Sequence, residues 1–170
     1  MQTKTAEILE AVRKVGQGFT KPNDDWMSML ILDPEHGQRM LIAVPFGCPD
    51  DKEHFARALP GIFRQSRPTF AAFVVSAWKV EIKPSLMSEC TAEMVHTFGA
   101  SNHPDRTEAV IIQCATPDGP QEEWHAPINR FTDRPPTLGE FKQFGGLPGE
   151  SSEGRFAGML SRAFAAMRAV

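Results

Sequence analysis

The chain has 170 residues, the usual size of one domain, and 41% of them are apolar, enough for one real core and too many for wholesale disorder. A net charge of −3, with no Lys/Arg stripe carrying interleaved aromatics, excludes the basic footprint of a nucleic-acid binder. The three cysteines, Cys48, Cys90 and Cys114, are widely spaced and read as free thiols of a reducing compartment. No apolar run is long enough to span a bilayer and the N-terminus has no apolar signal core, so a soluble cytoplasmic protein is expected.

Thr5 to Val15 reads as a short helix with the apolar stripe Ile8, Ala11, Val12 and Val15, ended by Gly16. Trp26–Asp33 and Gln38–Phe46 read as a hairpin around Asp33-Pro34-Glu35-His36-Gly37, where Gly37 can take the left-handed position that closes the turn. The first strand has little polar face and is expected to be central. In the second, Met40, Ile42, Val44 and Phe46 share a face. Asp50-x-x-Glu53 reads as a capping box opening a second helix with the stripe Phe55, Leu59, Ile62 and Phe63. Pro60-Gly61 should kink or split that helix before it ends between Arg64 and Pro68.

Phe70–Ile82 and Glu108–Thr116 are the two clearest strands. Phe70 to Val75 is apolar at every position, so both of its faces must be covered. Farther on, Lys79 and Glu81 point to the face that emerges into solvent while Trp78, Val80 and Ile82 point the other way, with Trp78 expected in the core. Val110, Ile112 and Cys114 share one face of the later strand, and Ala109, Ile111 and Ala115 the other. Between them lies the loop Lys83–Thr107, with a short helix over Met87–Phe98. After the Thr116-Pro117-Asp118-Gly119 turn, Glu122–Phe131 alternates Trp124, Ala126 and Ile128 with Glu123, His125 and Asn129. Pro127 marks it as an edge strand. Residues 132–153 are a Pro/Gly-rich arm, pinned by Leu138, Phe141, Phe144 and Leu147. Residues 154–170 hold an amphipathic C-terminal helix, with Phe156, Met159, Leu160, Ala163, Phe164 and Met167 on one face. Its small opposite face, Gly158, Ala165, Ala166 and Ala169, either meets a partner or is simply exposed on a helix packed on its own domain, since alanine favours helix.

The expected fold is α/β of the α+β kind, one domain over 1–170. It is a mainly antiparallel five-stranded sheet with helices on both faces, in the order α-β-β-α-β-β-β-α. The terminal helices should share one face and Asp50–Arg64 the other. That element order is similar to roadblock and longin-like modules, which implies a scaffold or regulatory role and a homodimer. The pairing of FVVSAW (Phe73–Trp78) with HPDRTEAV (His103–Val110) resembles an uncharacterised family of bacterial and phage proteins, over roughly residues 26 to 140. That second resemblance implies no activity.

The chemistry-bearing cluster is His103-Pro104-Asp105-Arg106 with Glu108, and His96 and Cys90 upstream in the same loop. An imidazole can act as acid, base or ligand, and a guanidinium can clamp a carboxylate or phosphate. The plain alternative is a structural turn: Pro104 rigidifies it, Asp105 bonds nearby backbone N–H groups, and Arg106 pairs with Glu108 or Asp105. Cys48, His54, Cys90, His96, His103, Cys114 and His125 show no metal-ligand spacing, so no metal and no cofactor are expected. His103-Pro104-Asp105 with Cys114 departs from the His-Pro-Asn and cysteine of ubiquitin-conjugating enzymes. Asp replaces Asn, and the cysteine lies inside an apolar strand where it should be inert.

Absent a catalytic motif, the expected function is a non-catalytic protein-interaction or regulatory module. It would work through a protein partner or self-association, with no nucleic acid and no membrane. The alternative is a small enzyme or ligand-binding protein using the loop around His96 and His103-Pro104-Asp105-Arg106.

Overall fold

The computed structural model describes residues 1–80, 104–144 and 158–169. Its elements are α1 (Gln2–Gln17), β1 (Met29–Pro34), β2 (Met40–Ala43), α2 (Pro49–Ser66), β3 (Pro68–Lys79), β4 (Thr107–Ala115), β5 (Glu122–Asn129), β6 (Thr137–Leu138), β7 (Lys142–Phe144) and α3 (Met159–Arg168). The strands form one antiparallel sheet in the order β2-β1-β3-β4-β5-β6, with β7 also on β5. The expected α+β class, with helices on both faces, therefore holds, and the sheet gains two short strands from the arm. Ile128 faces Leu138 and His125 faces Lys142, so β6 and β7 continue one another along β5 with a one-residue slip. β5 is consequently paired on both sides and is not the edge that Pro127 suggested.

β1 and β3 carry the centre. Leu30, Leu32, Phe70, Phe73 and Ala71 are wholly buried because helices cover both sheet faces. Alternation on β4 is as expected: Val110, Ile112 and Cys114 face α1, while Ile111 and Ala115 face α2 and α3. The helix assignment is different. α1 covers one face with Ile8 and Val12, whereas α2 and α3 lie together on the other. β2 and β3 both run antiparallel to β1, so they are parallel to each other and α2 is the crossover between them. The C-terminal helix then packs against that crossover, with Phe63 and Phe164 edge to face at 4.7 Å.

Helix details differ from the periodic reading in three places. The buried residues of α1 are Thr5, Ile8 and Val12, while Val15 is half exposed. The rotation follows from Trp26, whose Nε1–H donates to the Val12 carbonyl at 3.0 Å and whose ring lies against Gly16. A Cβ on Gly16 would meet that ring at 2.5 Å, so this glycine is a contact position inside the helix and not its end. The capping box of α2 is Cys48 with Asp51, whose carboxylate accepts from the Gly47 and Cys48 N–H groups, and not Asp50 with Glu53. α2 runs unsplit through Pro60, with Phe55 and Leu59 before it and Ile62 and Phe63 after it packed in the same core cluster against the sheet.

The hairpin turn behaves as expected, with Gly37 at φ 106°. Asp33 binds it to α1. Arg39 donates to both Asp33 oxygens at 2.6 and 3.1 Å, Lys4 lies 2.9 Å from Asp33, and Arg39 also reaches Glu7. The Arg39 hydrogen bond holds the Asp33 carboxyl below the usual carboxylate value. Among the described residues no helix is long and apolar enough to cross a membrane.

Candidate functional site

Of the sequence-predicted cluster, His96, His103 and Cys90 lie outside the described residues, as does the helix predicted over Met87–Phe98. Asp105 and Arg106 are exposed on the approach to β4. Glu108 is committed elsewhere: its two oxygens accept from Arg130 Nε and Nη2 at 2.8 and 2.6 Å. Arg130 is further held by Asp25 at 3.0 Å and by the Asp24 carbonyl at 2.9 Å. The Glu108 hydrogen bonds raise the Arg130 pKa above its ordinary value. This network ties the start of β4 and the end of β5 to the loop before β1.

Arg106 lies over the Trp78 ring, 4.8 Å from its centre. Trp78 was expected in the core and is instead 45% exposed. It follows Phe70, Ala72 and Val74 on the α1 face, but it stands opposite Glu108, beyond Val110, where the core on that face of β4 ends. Lys79, read as the solvent-facing side, is half buried on the other face.

A second cluster was not legible in the sequence. Gln113 on β4 faces Glu123 on β5, and His125 follows on the same face. All three side chains are buried on the side of α2 and α3. Gln113 Nε2 donates to Glu123 Oε2 at 2.8 Å, and His125 Nε2 is 2.7 Å from Glu123 Oε1. Phe144 stacks on the His125 ring at 5.0 Å. Among the described residues Gln113 Oε1 and His125 Nδ1 are buried without a partner. The alternation Glu123/His125 against Trp124 signals a polar outer face. Phe144 on β7, stacked on His125, helps turn that face into an inner one. Among the described residues no three His, Cys, Asp or Glu side chains converge as metal ligands.

Cys114 is wholly buried, and burial pushes its thiol up to about 12. Both burial and the raised thiol pKa act against its reactivity, in line with its place in an apolar strand. A shallow cleft of about 230 Å³ is lined by Glu35, His36, Gln65, Ser66 and Arg67. It falls short of the roughly 300 Å³ at which ligand pockets begin. Beside it Arg67 holds a left-handed φ of 44° directly before Pro68, a strained position kept by its N–H to the Phe63 carbonyl and its carbonyl to the Glu35 N–H.

The remaining feature is the outer edge of β2. Among the described residues β2 ends the sheet, and residues 40–49 carry no charge. Leu41 is 63% exposed on the α1 side and Met40 is 40% exposed on the other. The Val44 N–H donates to the Ser28 carbonyl at 2.8 Å, which sets the parity of the ladder: Met40, Ile42 and Val44 turn their backbone groups toward β1. Arg39, Leu41 and Ala43 therefore turn theirs outward. Natural sheet edges are usually blunted by charge or shortness; this one is short, four residues closed by Pro45, but those four residues carry no charge.

No known protein family matches the chain, and neither does any curated protein or solved structure, so one resemblance rests on element order and the other on the residues quoted for it.

Proposed function

We propose that this chain is a non-catalytic protein-interaction or regulatory module of bacterial or phage origin, acting in the cytoplasm, with the open edge of β2 as its working surface. The observation that carries this reading is the outward row of backbone groups at Leu41 and Ala43, set in an uncharged stretch with Leu41 and Met40 exposed on opposite faces. Such an edge adds a strand from a partner: main-chain bonds give affinity and the alternating side chains give specificity. The test is photo-crosslinking in cells with benzoylphenylalanine in place of Leu41. A protein adduct that disappears when Ala43→Pro is added supports the reading, and a folded protein with no adduct rejects it.

The second reading is a small ligand-binding protein or enzyme using the loop around His96 and His103-Pro104-Asp105-Arg106. Its supporting observation is the exposed Arg106 stacked over exposed Trp78. Because Glu108 is held by Arg130, this reading must work with Asp105 and Arg106 from the described part of the loop. Arg106→Ala should then remove ligand binding at unchanged stability.

A further inference from the structure

The geometry points to a second copy of this chain as the partner at β2, paired antiparallel about a two-fold axis at Leu41, so that two sheets become one. The inference rests on the interaction-module reading and names its partner.

The free edge is short and bounded. The turn at residues 35–38 closes one end, and Pro45, which has no N–H, closes the other. The outward groups belong to Arg39, Leu41 and Ala43. Two-fold pairing about Leu41 sets Leu41 against Leu41 of the other copy and Arg39 against Ala43 in both directions. Every outward N–H then meets a carbonyl. The neighbouring register, centred on Ile42, sets Arg39 against Pro45 and loses a donor on each side. A longer strand from another protein gains nothing past Pro45.

The side chains match in the same register. Leu41 meets Leu41 on the α1 side, while Met40 meets Ile42 on the other, so apolar groups face apolar groups on both sides. The one charge carried into the pair, Arg39, is already neutralised by Asp33 and Glu7, so two copies do not repel each other there. A four-residue strand pair buries less than the roughly 1,200 Å² of standard stable interfaces, so the dimer is reversible and concentration dependent.

The test is sedimentation velocity of the full chain over a concentration series. The unsubstituted protein should pass from monomer to dimer. Ala43→Pro removes an outward donor without touching the β1 ladder, and Leu41→Arg places like charges face to face. Each should leave a folded monomer by circular dichroism. Ala165→Glu, on the exposed side of α3, should leave the dimer unchanged. In a Cys48→Ser/Cys90→Ser background, Leu41→Cys should form a disulfide dimer on mild oxidation, because directly opposite residues of this kind have Cα atoms about 5.5 Å apart. A protein monomeric at every concentration overturns the inference. So does a dimer that survives both β2 substitutions, or one lost in Ala165→Glu. If the protein is monomeric while the crosslinker at position 41 captures a different protein through the same edge, the second copy is wrong and the interaction module stands. No adduct and no dimer together remove both.

Discussion

Truncating Glu123 should be among the most damaging single changes on the sheet. Its carboxylate accepts from Gln113 Nε2 at 2.8 Å and from His125 Nε2 at 2.7 Å. Gln113 is 2% and His125 8% exposed, so water does not replace the lost acceptor. A hydrogen bond to a charged group is worth about 1.5–3 kcal/mol, and each buried donor left unpaired costs about 1–3 kcal/mol. Glu123→Ala should therefore cost about 3–5 kcal/mol, a large share of the roughly 5–15 kcal/mol that holds a domain together. With a urea slope of about 2 kcal/mol per molar, the unfolding midpoint should fall by about 1.5–2.5 M. The triple variant Gln113→Leu/Glu123→Met/His125→Phe makes the opposite prediction. It removes both partners of each bond together with the orphaned Gln113 Oε1 and His125 Nδ1, so its stability should equal or exceed that of the unsubstituted protein. Urea unfolding followed by circular dichroism compares all three. A loss under about 1 kcal/mol for Glu123→Ala, or a triple variant as unstable as the single one, would refute the reasoning.

Three further outcomes follow from the packing and charges. Ile112→Ala empties a wholly buried site between β4 and α1 and should cost about 2–5 kcal/mol in the same urea assay. Cys48 should react with maleimide in the native protein while Cys114 reacts only on unfolding, read by mass spectrometry of the two peptides. Arg39 holds Asp33 below its ordinary value of 3.8, so this carboxylate contributes stability above pH 3.8 that is lost as pH falls through its lower folded value; Asp33→Asn should flatten that acid limb in melting curves.

The sheet was readable because its signals are local. Val110, Ile112 and Cys114 alternate with Ala109, Ile111 and Ala115 at period two, and Gly37 marks the turn that joins β1 to β2. Which sheet face a helix takes is not local. Periodicity names the apolar side of the C-terminal helix, but only contact with Phe63 places that helix beside α2. α1 rotated away from its predicted stripe because Trp26, from a loop, bonds Val12 and fills the space over Gly16. Glu123 and His125 look like solvent-facing residues until Phe144 and α3 are in place. Trp78 looks like core until the sheet is seen to outrun α1. Of the candidate loop, the sequence identified Arg106 and Glu108 but not their partners, Trp78 and Arg130, since the Arg130 contact joins strands across the sheet.

The open β2 edge is tested most directly by amide hydrogen exchange, residue by residue, in dilute and in concentrated protein. Met40 and Ile42, bonded to β1, should be protected at both concentrations. Leu41 and Ala43 should exchange freely when dilute and become protected together as concentration rises. Free exchange at Leu41 and Ala43 under conditions where Ile42 is protected and the protein is concentrated would contradict the pairing of β2 with a second copy.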